Sequence, residues 1–124
     1  MKTLSKLATL FAFAALTSNA FAEPAGEAAV RAAAEGTVTK IEEAVSLTEK
    51  GAASAEIIRV INDARQLQKE FRYEGTERQR QKGNDKLRIA REAFEANDKA
   101  TAEPTLKAAL GIYQEMLKVY NANH

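Results

Sequence analysis

The feature that most constrains this chain is a spacing: beyond residue 27 its apolar side chains recur in steps of three and four, with no sustained period-two alternation. Ile57, Val60, Ala64, Leu67 and Phe71 form one such stripe, and Leu106, Leu110, Tyr113, Leu117 and Tyr120 form another. Ala34, Val38, Ile41, Val45 and Thr48 mark a third, and Leu87, Ala90 and Phe94 a fourth. Each pattern lays one apolar seam along an α-helix and leaves no face for a strand. Ala, Glu, Lys, Leu, Arg and Gln dominate these stretches, and only Pro24 and Pro104 follow residue 22, so little interrupts helix formation.

Two short breaks divide the stripes. In Lys50-Gly51-Ala52-Ala53-Ser54, Gly51 is placed to end one helix and Ser54 to cap the next. In Asn97-Asp98-Lys99-Ala100-Thr101, Asn97 and Thr101 are expected to do the same, which puts Pro104 in the first turn of the last helix. A shift of 46 residues superposes Lys40 on Lys86, Ile41 on Leu87, Ala44 on Ala90, Val60 on Leu106, Ala64 on Leu110 and Phe71 on Leu117. The expected fold is all-α: an up-down-up-down four-helix bundle of two hairpins, 27–71 and 86–121, joined by a linker over 72–85. Part of that linker, Thr76 to Lys82, contains no breaker and can itself be helical.

The N-terminus carries Lys2 and Lys6, an apolar run from Leu7 to Leu16 broken by Thr9, and then Ala20-Phe21-Ala22. That order predicts a cleaved secretory signal peptide over residues 1–22, with a domain over 23–124. The run falls short of the roughly 20 apolar residues that a permanent membrane span needs. Removing 22 of the 124 residues leaves 102, enough for one modest core. It also removes two lysines, so 16 basic residues face 17 acidic ones and the net charge is near −1. Export predicts a periplasmic, cysteine-free protein that is held together by apolar helix faces alone.

Little in the sequence provides for catalysis. With no cysteine, a single histidine at the C-terminus (His124) and no Gly-x-Ser-x-Gly elbow, a serine would have no base to activate it. No enzyme activity is therefore expected. Di-iron bundles use Glu-x-x-His on facing helices, and noncovalent haem in a bundle takes axial ligands from different helices; Met116 and His124 lie on or beyond the same one. Carboxylates such as Glu42, Glu43, Glu92 and Glu95 leave a divalent-metal site open as an alternative, and no cofactor is expected.

Charge is unevenly spread. From Arg72 to Arg91 seven basic residues stand against three acidic ones, whereas Glu23 to Lys50 carries six acidic and three basic. One reading pairs an acidic first helix with a basic third helix across the bundle. The other is a partner-binding patch of Arg78, Arg80, Lys82, Arg88 and Arg91 for an acidic protein or an anionic envelope component. Export argues against nucleic acid as that partner.

Ile41-Glu42-Glu43-Ala44-Val45 with Gly51, then Glu74-Gly75, and Leu106-Lys107-Ala108-Ala109-Leu110 carry a resemblance to the small periplasmic metal-binding proteins of proteobacteria. That likeness implies a four-helix bundle of two similar hairpins behind a signal peptide. Family members bind divalent metals through many helical histidines, and this chain has none on its helices, so the fold and compartment carry over and the metal site does not. In length and layout the chain is also similar to b562-type periplasmic cytochromes, without their axial-ligand pair. The function expected is that of a non-enzymatic exported binding protein, in envelope stress or metal handling. The alternatives are a carboxylate-based metal carrier and a helical-repeat adaptor.

Overall fold

The computed structural model describes residues 25–124; the expected signal peptide, 1–22, lies outside them. Among the described residues there are four α-helices and no strand: α1 (Ala25–Glu49), α2 (Ser54–Gln68), α3 (Glu77–Glu95) and α4 (Lys99–Ala122). A 3-10 turn, Glu74–Thr76, leads into α3. The all-α four-helix bundle read from the sequence is the fold observed. No helix among the described residues is long and apolar enough to cross a membrane.

Both hairpins close in the same way. Gly51 adopts φ 78°, and the Ala52 amide donates back to the Leu47 carbonyl at 2.9 Å. Forty-six residues on, Asn97 adopts φ 58° and the Asp98 amide donates to the Ala93 carbonyl at 2.8 Å. A left-handed residue followed by this six-residue bond is the Schellman closure, open to glycine and tolerable for asparagine. The internal likeness is therefore geometric at the turns. It fades afterwards: Ala64 is buried where Leu110 is only half-buried, and Gln68 is buried where Gln114 is exposed.

Helix starts depart from the expected caps. Ala53, in extended backbone, takes the cap position of α2 without a side-chain bond, so Ser54 is already inside the helix. Asp98 caps α4 by accepting the Thr101 amide at 3.2 Å, which makes Thr101 a donor to the cap. The helix therefore begins at Lys99, and Pro104 sits in its second turn instead of the first. There the ring leaves the Ala100 carbonyl without its helical amide. Within the 72–85 linker the breaker-free stretch is helical, as its composition allowed: α3 starts at Glu77 and runs through Gly83 without a break.

The core is made of Ala33, Ala34, Val38, Ile41 and Ala44 from α1, Ile57, Val60, Ile61 and Ala64 from α2, Leu87, Ala90, Ala93 and Phe94 from α3, and Phe71 from the connection. On α4 the buried row is Ala102, Leu106, Ala109, Tyr113, Met116 and Tyr120. The expected seam members Leu110 and Leu117 flank it, half-buried. Both rows obey the three-four step, but α4 packs on two neighbours, and small Ala102 and Ala109 face the interior while the leucines cover its edge.

Neighbouring helices form a ring: α1 packs on α2 and α4, and α3 packs on α2 and α4. Acidic α1 and basic α3 are diagonal and do not meet among the described residues, so the expected electrostatic pairing between them does not form. Inter-helix ion pairs run along the ring instead, from Lys40 to Asp63 at 3.8 Å and from Lys107 to Glu49 at 3.7 Å.

An aromatic cluster ties the inter-hairpin connection to the chain end. Phe71 and Tyr73 each meet Tyr120 edge-on, at 6.1 and 5.6 Å between centroids. His124 stacks on Tyr120 at 3.9 Å and meets Tyr73 at 5.0 Å. The Arg31 guanidinium, from α1, lies 5.2 Å from the Tyr120 ring centroid.

Candidate functional site

The five cations of the expected patch do not share one surface. At about 100° per residue, Arg78 and Lys82 lie about 140–180° round α3 from Arg80 and Arg91. Arg78 and Lys82 are exposed and make no ion pair among the described residues; Lys86, one further turn along, continues their row.

Arg80 points the other way and is only 15% exposed. Its Nη2 and Nε donate to the two Glu77 oxygens at 2.8 and 3.0 Å, and its Nη1 donates to Gln68 Oε1 at 3.3 Å. This two-pronged contact raises the Arg80 pKa and holds the Glu77 carboxyl below its usual range, with Arg72 adding a second cation at 3.0 Å. Arg80 is thus a structural clamp between α2 and α3 and not part of a free patch.

Arg88 donates to Asp85 and, through Nη1, to both Glu92 oxygens at 3.2 and 3.3 Å. Those carboxylates, Asp85 first, raise its pKa. Arg88 is neutralised on its own helix.

Arg91 differs. Its nearest carboxylates are Glu95 at 3.8 Å and Glu92 at 3.9 Å, and its Nε is shielded from solvent with no hydrogen-bond partner. It lines a groove of about 370 Å³ between α2 and α3, together with Asn62, Arg65, Gln66, Lys69 and Asn84. Every lining residue is polar or cationic and none is acidic. Arg65 donates from Nε to Asn84 Oδ1 at 3.1 Å and has no carboxylate partner among the described residues. Burial, and then the like charges of Arg91 and Arg88, push the Arg65 pKa down. Glu92 opposes that shift but is already held by Arg88.

The sequence thus located one groove residue, Arg91, and missed Arg65, Lys69, Asn62, Gln66 and Asn84. The missed signal was present: Asn62, Gln66 and Lys69 step by four and three beside the α2 seam, and Asn84 and Arg91 lie seven apart on α3. Counting charge by segment hid a stripe that two helices share. No group of three or more His, Cys, Asp or Glu side chains suited to a metal ion occurs among the described residues.

No family model, no curated protein and no solved structure matches this chain.

Proposed function

We propose that the protein is a non-enzymatic, exported helical-bundle binding protein whose partner is anionic, an acidic protein surface or an anionic envelope component. The observation that carries this reading is the meeting of Arg65, Lys69 and Arg91 on one α2–α3 groove without a lining carboxylate. Arg80 and Arg88, by contrast, are each held by close carboxylates on their own helix. Gathering three cations where no carboxylate lines the wall raises the local potential and favours an incoming anion. The exposed row of Arg78, Lys82 and Lys86 lies about 140–180° round α3 from Arg91 and is not part of this groove. Export rests on Lys2, Lys6, the Leu7–Leu16 run and the Ala20-Phe21-Ala22 site, and it favours an envelope partner over nucleic acid.

Retention on immobilised heparin, used as a polyanion surrogate, tests the reading. The triple variant Arg65→Gln, Lys69→Gln, Arg91→Gln should elute at clearly lower salt than the parent, since each lost cation reduces the ionic contribution. Equal elution salt at equal helicity would count against an anionic partner on this side.

A further inference from the structure

We propose that the α2–α3 groove is a binding site for the phosphate group of a small hydrophilic molecule, an inference that rests on the anion-binding reading above and narrows its ligand. Size comes first: about 370 Å³ lies within the range of about 300–1,000 Å³ typical of small-molecule sites. The chemistry of the walls comes next. All six lining residues carry polar groups and the larger part of the wall is polar, a poor match for an acyl chain, a haem or an aromatic ligand.

Three of the six are cations, and two of these are arginines from facing helices. A guanidinium is a planar fork of donors matched to the paired oxygens of an oxyanion. Asn84 fixes Arg65 through Nε, which leaves the two terminal nitrogens of that fork for a ligand. Arg91 makes no hydrogen bond among the described residues, its contacts with Glu92 and Glu95 standing at 3.9 and 3.8 Å, so its terminal nitrogens are left for a ligand. A dianionic phosphate between these side chains supplies acceptors and a counter-charge against the burial, and then the like charges, that lower the Arg65 pKa. Lys69, whose Nζ donates to Gln66 Oε1 at 3.3 Å, adds a third cation, while Asn62 and the Gln66 amide offer polar groups suited to hydroxyls on the rest of the molecule.

Calorimetric titration of the purified protein with inorganic phosphate and with glycerol 3-phosphate tests the assignment, with uncharged glycerol as the blank. The expected result is one-to-one saturation by at least one phosphate probe, with Kd below about 1 mM. Arg65→Gln and Arg91→Gln should each weaken it by about tenfold or more. Arg65→Lys keeps the charge but loses the fork, so it should fall with Arg65→Gln while retaining helicity; the Arg78→Gln, Lys82→Gln double variant should bind as the parent does. Tighter glycerol 3-phosphate binding identifies an ester as the ligand, and equal or tighter inorganic phosphate identifies the free anion; both support the site. Absence of saturation by either probe overturns it, as does saturation indifferent to Arg65 and Arg91. Groove-dependent heparin retention without phosphate saturation would overturn the small-ligand assignment alone. Loss of both signals would remove the anion-binding reading with it.

Discussion

The hydroxyl of Tyr113, on α4, donates to Gln68 Oε1, on α2, at 3.0 Å in the centre of the bundle, and the same amide oxygen accepts Arg80 Nη1 from α3. Three helices thus share one buried acceptor, and Gln68 Nε2 in turn donates to the Arg65 carbonyl at 3.1 Å. Removing the phenol oxygen deletes this bond and the longer one that the hydroxyl shares with the Arg80 carbonyl at 3.3 Å, while Arg80 still satisfies Gln68. Tyr113→Phe should therefore cost about 1 kcal/mol, or a fall of about 4–8 °C in Tm for a domain of this size. Urea unfolding of the variant checks the figure, and a Tm equal to the parent's would show that the bond is worth nothing net.

Burial pushes the Tyr113 phenol well above its ordinary value. A group whose pKa is raised on folding stabilises the protein fully below its unfolded value, and that stability drains away as pH rises past about 10. Unfolding free energy should fall steeply above that pH in the parent and less steeply in Tyr113→Phe. Parallel alkaline declines would contradict this.

Glu77 behaves in the opposite sense. Its carboxyl is held low by Arg80 first and by Arg72. Its contribution is whole above the unfolded value of about 4.3 and is lost as pH falls through the lower folded value. Glu77→Gln should cost about 1 kcal/mol at neutral pH and flatten the acid limb of the stability profile. A variant with an unchanged acid limb would dismiss the clamp as a source of stability.

A Cβ built on Gly83 would stand 2.6 Å from Cε2 of the Tyr113 ring. Both residues are buried, so the ring has little room to withdraw. Alanine gains about 1 kcal/mol in helix propensity, but overpacking of this kind costs about 1–3 kcal/mol. Gly83→Ala should be net destabilising in the parent and become stabilising in a Tyr113→Leu background. The same sign in both backgrounds would rule out the ring as the cause.

The helix starts offer stabilising changes. Pro104 interrupts the second turn of α4 on an exposed side, so Pro104→Ala should raise stability by about 1–2 kcal/mol after the gain in unfolded-chain freedom is subtracted. Ala53→Asp should add about 1 kcal/mol by supplying the cap that α2 lacks, and Asp98→Ala should remove a similar amount from α4. Thermal melts of the three single variants decide each sign separately.

Much of the fold was legible because it is written in short-range signals. Gly51 and Asn97 mark the two turns, and the three-four stripes fix the helices between them. The caps fall one to three residues before Ser54 and Thr101, at Ala53 and Asp98, because the backbone path, and not the presence of a capping oxygen, decides where each helix starts. The diagonal placement of α1 and α3 was not legible, because a four-helix ring gives every helix two partners and one opposite, and net charge per segment does not choose between them. The candidate site was legible only in part for a related reason: Arg91 stood out within a basic segment, whereas Arg65 and Lys69 acquire meaning only once α2 lies beside α3.

The cluster of Phe71, Tyr73, Tyr120 and His124 gives the molecule an optical reporter of its own. The chain has no tryptophan and three tyrosines, of which two meet at this junction while the third lies in the core. Near-ultraviolet dichroism and tyrosine emission therefore register the junction between the hairpins and the central packing, without any label. Fraying at the C-terminus would then be visible as a spectral change before the bundle itself comes apart.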